Sequence, residues 1–377
     1  MEADLGAKLH VFERTALTER KQYDAMLSGF RELSSYSWLQ SETPSIVVPG
    51  AIPSLATPTL PLNLLPDLVA FGEWPASEPV TQVHPFRFEP LISACTTTDA
   101  SFDIGNAHIV TGANSLRVLL NFVFEKADKS FRIDIEVRQG TMFMARWESE
   151  LSNLAQTSRC RGYGRGFERP STSGHLDPPQ TSHHRIVTYK LASLNTIVQY
   201  QADACNCRCE QLRSDGSTST SRTPSMVMPV ASSHRLQLLT GGISHNTSCL
   251  VEIKSRETRS HNTHDILAQM WLSQQPTMFM GRHSRGSFTS TELIEMAEET
   301  KAWETQSTLQ LDLFATLLTE LYGLVSATTK QDDARRFSLL YLRDKDPNVL
   351  QLVERRGGQD MLAPEDSAFE RNVHGQA

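Results

Sequence analysis

The sequence predicts one α/β (α+β) domain with a central mixed β-sheet flanked by helices. Three observations carry that reading. Strand-like runs recur along the chain, from FRIDIEV (Phe131 to Val137) to TMFMGRH (Thr277 to His283). Between them lie segments with apolar residues at helical spacing, such as Leu116, Leu119, Leu120 and Val123. The chain has 377 residues, 39% of them hydrophobic, which is ample material for a core.

Taken in order, residues 1–34 carry mixed charge and some helical periodicity, and are expected to form a helix or a loosely held arm. The domain proper is placed at residues 35–343. From Tyr36 to Pro90 it is punctuated by Pro44, Pro49, Pro53, Pro58, Pro61, Pro66, Pro75 and Pro79. That density forbids long helices and predicts extended segments wrapping a core. Ser115 to Phe124 reads as a helix. FRIDIEVRQGTMFMARW then reads as a β-hairpin turning at Gln139-Gly140. After the glycine-rich, basic stretch CRGYGRGFE (Cys160 to Glu168), two strand-like runs follow, RIVTYKL and NTIVQYQAD, joined by a short turn.

Residues 206–229 are poor in apolar side chains and rich in Ser, Thr and Arg, the composition of a disordered insertion. The next strand is SCLVEIKSR, Ser248 to Arg256. A helix is expected from Thr263, which can cap it, to Gln275, where Pro276 stops it. An amphipathic pattern through Leu293, Met296, Trp303, Leu309, Leu313, Leu317 and Leu321 predicts helices over 290–327. The remainder, 344–377, is polar and reads as a loose tail.

Composition excludes several classes. A net charge of −7 argues against a generally basic nucleic-acid coat, although a local basic groove is compatible with it. No apolar run approaches the roughly 20 residues that span a bilayer. The opening MEADLGAKLHVFERTALTER lacks the apolar core of a secretory signal, so a nuclear or cytoplasmic setting is expected. The six cysteines then read as reduced thiols. Cys205, Cys207 and Cys209 alternate too tightly to wrap a zinc tetrahedron. Neither a P-loop nor a dinucleotide fingerprint is present, which argues against nicotinamide or flavin use.

Chemistry is expected at two places. In SCLVEIKSR, Glu252 and Lys254 point to one face of an extended strand while Cys249, Val251 and Ile253 point to the other. A surface ion pair would give the same pattern. Glu168 and Asp203 also lie at the ends of predicted strands or turns. Three carboxylates meeting at one point would repel one another unless a hard divalent cation, Mg²⁺ or Mn²⁺, sat between them. Such an ion activates water and neutralises a phosphodiester, and a nearby lysine can steady the attacking or leaving oxygen. The second place is the segment holding Arg161 and Arg165, where glycines let a backbone approach phosphates that arginines clamp. A flexible turn with solvated charges is the competing reading.

The succession VTGANSLRVLLNFV, FRIDIEVRQGTMFMAR, RGYGRGFE, HHRIVTYKLASLNTIVQYQAD, SCLVEIKSR and ILAQMWLSQQPTMFMGRH resembles the eukaryotic decapping-exonuclease (DXO-type) family. The likeness covers about Ser35 to His283 and is nearest an uncharacterised fungal branch, some of it labelled geranylgeranyl pyrophosphate synthetase. A prenyl synthase needs aspartate-rich helices, and the adjacent pair Asp332-Asp333 does not supply the motif. The resemblance implies a core similar to the PD-(D/E)XK nucleases. It also implies Glu168, Asp203 and Glu252 as metal ligands, Lys254 and Glu252 as catalytic groups, and Gln274 as an assisting amide. Arg161, Arg165, Arg185 and Arg117 would hold phosphates. The implied substrate is an RNA 5′ end, processed by pyrophosphate removal, decapping or 5′–3′ digestion in mRNA quality control, with a 5′–3′ exoribonuclease as partner.

Two departures stand out. The family's E-h-D pair reads Gln201-Ala202-Asp203, so an amide replaces one carboxylate. The arginine before the L-x-x-L-L helix is Ala113. Both changes predict weaker metal and RNA binding. A catalytically inactive RNA- or protein-binding chain of the same fold is therefore the alternative reading.

Overall fold

The strand-forming runs pair into two sheets rather than one. The structure, a computed structural model, describes residues 1–19, 23–67, 84–147, 162–174, 179–206, 225–227, 236–258, 263–327 and 335–363. In chain order the strands are β1 (Leu5–Glu13), β2 (Ser28–Leu39), β3 (Ser45–Gly50), β4 (Ser54–Leu55), β5 (Leu62–Asn63), β6 (Ile109–Gly112), β7 (Phe131–Arg138), β8 (Thr141–Arg146), β9 (Thr172–Ser173) and β10 (Gln180–Leu191). They continue as β11 (Leu194–Ala202), β12 (Ala204–Cys205), β13 (Ser225–Val227), β14 (Gln237–Gly242), β15 (Leu250–Glu257), β16 (Thr277–Ser284), β17 (Ser287–Glu295), β18 (Arg335–Tyr341) and β19 (Val349–Arg355). The helices are α1 (Glu89–Thr98), α2 (Ala113–Val123), α3 (Gly164–Glu168), α4 (His264–Ser273), α5 (Ala297–Gln306) and α6 (Thr308–Ala327).

The larger sheet has the order β1-β19-β18-β7-β8-β6-β11-β10-β2-β3-β14-β13, and the smaller β5-β17-β16-β15-β12-β4-β9. Both are mixed: β6 runs parallel to β8 and β11, and β15 parallel to β16. The β10–β11 hairpin leaves the larger sheet at Ala202, and Ala204 already pairs with Val251 in the smaller one. Asp203 is therefore the residue at which the chain crosses between sheets.

Local chemistry explains the elements that matter. The hairpin β7–β8 turns through Gln139 (φ 46°) and Gly140 (φ 84°), the two left-handed residues that a tight turn between twisted strands requires. The predicted stripe of α2, Leu116, Leu119, Leu120 and Val123, is buried in the main core with Leu313, Leu317 and Leu321 of α6. Val251 and Ile253 of β15 pack with Phe167, Phe279 and Phe288 in a separate cluster, which leaves Glu252 and Lys254 for the other face.

Several expectations need correction. Residues 1–34 form no long helix: β1 pairs with β19 and β2 lies between β10 and β3. Cross-strand partners far along the chain override the weak helical period. The stretch after 344 is not loose as far as the structure describes it, because β19 and Met361 to Ala363 are buried. The helical pattern from residue 290 begins inside β17, and helix starts only at Ala297. The expected disordered insertion over 206–229, Cys207, Cys209, Asp332-Asp333 and Arg161 lie outside the described residues, apart from Asn206 and β13. None of the described helices carries an aspartate-rich motif, and none is long and apolar enough to cross a membrane.

Candidate active site

A hollow of about 590 Å³ opens where the two sheets part. Its walls include Glu168, Asp203, Glu252, Lys254, Arg165 and Arg117, together with both departures, Gln201 and Ala113. Strand period places Gln201 and Asp203 on one side, and Glu252 and Lys254 on another. Glu168 ends α3, a single turn anchored on the smaller sheet by fully buried Phe167.

The acids sense one another. Burial, then the Glu252 carboxylate, then that of Glu168, push Asp203 well above the ordinary carboxylate range. Burial followed by Glu252 raises Glu168, and Arg165 and Lys254 only partly offset this. Lys254 donates a short hydrogen bond to Glu252 Oε1. Burial works against the charge on Lys254, yet Glu252 and Asp203 outweigh it and hold the ammonium above its usual pKa. Asp203 Oδ2 accepts from the Ile253 N–H at 2.9 Å, which fixes the crossing residue to β15.

The donor chemistry suits a hard divalent cation, since carboxylates whose repulsion already raises their proton affinity would be relieved by one. The ligand set is not closed, however. Among the described residues, no group of three or more His, Cys, Asp or Glu side chains stands at metal-ligating geometry. Glu252 is turned toward Lys254, and Gln201, which also lines the hollow, contributes an amide rather than a carboxylate.

Two expected site residues lie elsewhere. Arg185 is 1% exposed, and its Nη2 pairs with Glu32 Oε2 at 2.6 Å. Glu32 also accepts from the Thr247 N–H and hydroxyl, so this guanidinium ties strands together and is closed to phosphate. Gln274 caps α4 in a left-handed conformation (φ 55°) and donates its amide to the Trp271 carbonyl at 2.5 Å. It does not line the hollow. Gln269, a turn and a half earlier, does, and accepts from Arg117 Nη1 at 3.3 Å.

Sequence reasoning also missed Asp67, His184 and Ser273. Asp67 lies in the proline-rich segment and accepts from the Gly166 and Arg165 backbone N–H groups at 2.9 and 3.2 Å, holding α3 in place. No motif marks it. His184 is stacked on Tyr36 with ring centroids 5.0 Å apart, and burial pushes its pKa down to about 4. Gln269 and Ser273 could have been found from helical period, since with Asp265 they form an i, i+4 stripe facing the Ala113–Arg117–Asn121 stripe of α2.

The fold has clear relatives among solved structures. Over 92% of this chain and 99% of the other, S. pombe Rai1 in complex with 3′-FADP superposes with a TM-score of 0.61 at 13% identity. Candida albicans Rai1 in complex with pU5-Mn²⁺ gives 0.54 at 13% identity, covering 91% of this chain and 95% of that one. K. lactis Dxo1 in complex with manganese gives 0.52 at 10% identity, with 91% and 94% covered. No curated protein matches the chain by sequence. A family model described as Domain of unknown function (DUF8563) matches residues 7–361. The chain thus belongs to that family, and its fold is the Rai1/Dxo1 fold that the decapping-exonuclease resemblance implied.

Proposed function

We propose that the chain is a divalent-metal-dependent phosphohydrolase acting on RNA 5′ ends, with activity reduced by the loss of one carboxylate. The observation that carries this is that Glu168, Asp203, Glu252 and Lys254 line one hollow at the sheet junction, where Glu252 helps to raise the pKa of both Asp203 and Glu168. The Rai1 and Dxo1 structures with manganese, and with pU5, support metal and RNA as the chemistry to test. Glu168, Asp203 and Glu252 would hold Mg²⁺ or Mn²⁺, which supplies water activation and charge neutralisation when bound. Lys254 would donate to the oxygen that gains charge, and Arg165 and Arg117, which line the same hollow, would hold phosphate oxygens. The same reading includes a 5′–3′ exoribonuclease partner and a nuclear or cytoplasmic location. Co-purification from cells and imaging of a tagged chain test these two.

The test is hydrolysis of 5′-triphosphorylated and cap-analogue RNA with Mg²⁺ or Mn²⁺, beside Glu252→Ala and Lys254→Ala. Turnover that is equal in all three proteins would remove the catalytic assignment. A second reading, a non-catalytic RNA-binding protein, is favoured by Gln201 and by the Lys254–Glu252 pair, because an ammonium can take the place of a cation among acids. It predicts no thermal shift with Mn²⁺ and RNA binding indifferent to chelator.

A further inference from the structure

Strand β17 is covered on its outer side for only part of its length. Antiparallel β5 pairs with it at Ser287 and Phe288, and Pro61, next along, has no N–H with which to continue the ladder. Among the described residues, no strand pairs with Thr289 to Glu295 on the side away from β16. One hydrogen bond fixes the direction of their backbone groups. Met296 N–H donates to the Pro276 carbonyl at 2.6 Å, so residues 290, 292 and 294, opposite Arg282, Met280 and Met278, also turn their backbone groups toward β16. Thr291, Leu293 and Glu295 therefore turn their N–H and C=O groups outward.

Such edges invite a further strand, and folded chains blunt them with lysine, proline or bulges. β1, at an edge of the larger sheet, carries Lys8 and slips register on both sides of it. In β17 the register slips before Ser290, and from there to Glu295 the sequence STELIE holds neither proline nor lysine. Ser290, Glu292, Leu293 and Glu295 are exposed, Leu293 by 44%, although its cross-strand neighbour Phe279 belongs to the core. What the edge does carry is negative charge. Glu292 and Glu295 are followed by Glu298 and Glu299 in the first turn of α5. Two copies pairing edge to edge would set these like charges together, and a nucleic acid would be repelled as well. The complement is a strand that bears lysine or arginine.

We infer that the outer edge of β17 is a docking site for a partner protein, which adds an extended basic segment to the smaller sheet as its next strand. Thr291, Leu293 and Glu295 supply the backbone donors and acceptors that give affinity. Leu293 receives an apolar side chain of the partner, and the glutamates pair with lysine or arginine on alternate positions, which gives selectivity. None of these residues lines the hollow at the sheet junction, so the inference stands apart from the hydrolytic reading.

The test is fluorescence anisotropy of a labelled octapeptide of alternating Lys and Val, beside the same peptide N-methylated at every residue and an alternating Glu-Val octapeptide. Wild type should bind the Lys-Val peptide at least about tenfold more tightly than the methylated one, which lacks two or more backbone hydrogen bonds each worth several-fold. Glu-Val should bind more weakly still. Thr291→Pro deletes one outward N–H at an edge position that tolerates proline, and should weaken Lys-Val binding by about fivefold or more. The double variant Glu292→Lys with Glu298→Lys leaves the backbone intact and should abolish the preference for Lys-Val over Glu-Val. In wild type, hydrogen exchange at Thr291, Leu293 and Glu295 should slow when the Lys-Val peptide binds. Absence of binding, equal binding of methylated and unmethylated peptides, or protection confined to other strands overturns the docking edge. Self-association of the free chain that Thr291→Pro abolishes would give the edge to a second copy and overturn the basic partner.

Discussion

Gly281→Ala should damage both stability and the site, through one contact. Gly281 lies on β16, and a Cβ there would meet three Phe167 ring atoms at 2.3, 2.6 and 2.7 Å. Ordinary contact begins near 3.4 Å, so the ring would have to retreat by about 1 Å. It has nowhere to go: Phe167 is fully buried and stacked on Phe279 (centroids 6.0 Å) and Phe288 (4.6 Å). Overpacking of this kind costs about 1–3 kcal/mol. At roughly 2 °C for each kcal/mol in a chain of this size, Tm should fall by a few degrees. Phe167 directly precedes Glu168, so the shift passes to the carboxylate, and displacements of about 1 Å can cost ~100-fold in rate. Differential scanning fluorimetry and Mn²⁺ titration of the variant give both readouts. Gly323→Ala, where a Cβ meets nothing within 4 Å on α6, is the neutral control. If Gly281→Ala melts with wild type and binds Mn²⁺ equally well, the anchoring of Glu168 by Phe167 is refuted.

Other perturbations separate roles in the same way. Arg185→Ala should cost about 1.5–3 kcal/mol by deleting a charge-assisted hydrogen bond to half-buried Glu32, with RNA binding intact in the fraction that folds; selective loss of RNA binding at unchanged Tm would return Arg185 to the substrate. Gln201→Glu should tighten Mn²⁺ binding and raise hydrolysis, since it adds a carboxylate beside Asp203; no change in calorimetric affinity would count against a decayed ligand position. Because the folded-state pKa of Asp203 is raised, the native metal-free chain holds a proton that the unfolded chain has lost, and that stability disappears as pH rises through the raised value. Asp203→Asn should therefore gain stability relative to wild type as pH increases from acid to neutral. Buried His183 and His184 oppose this trend in both proteins, since their lowered pKa values remove stability as pH falls below about 6.5; a wild-type-minus-variant difference that is flat with pH would show Asp203 to be unperturbed.

Much of this architecture was legible because the signals were local. The stripe of α2, the glycine turn after Gln139 and the opposed faces of β15 follow from period and from two turn residues. Glu168 ends α3 and Asp203 follows β11, so both stood out as acids that close an element, whereas Glu252, inside β15, was marked by sharing a strand face with Lys254. What escaped depended on contacts distant in sequence. The pairing of β1 with β19 joins residues more than 300 positions apart, and nothing near Leu5 announces it. Arg185 looked like a phosphate clamp until Glu32, 153 residues away, claimed its charge. Gln274 sits nearest the strand in sequence, but the helix turns Gln269 to the cleft and leaves Gln274 to cap. Asp67 gave no sign, because its role is to accept backbone N–H groups from a segment 98 residues on.

Hydrolysis governed by the acids at the sheet junction is open to direct test. Its most direct measurement is pyrophosphate release from 5′-triphosphorylated RNA as Mn²⁺ is titrated, for wild type and Glu252→Gln side by side. Wild type should show saturable release and the variant a loss of about 10–100-fold, the scale of disturbing a metal ligand's support. No release by folded wild type at any Mn²⁺ concentration, or equal release by the two proteins, would contradict it.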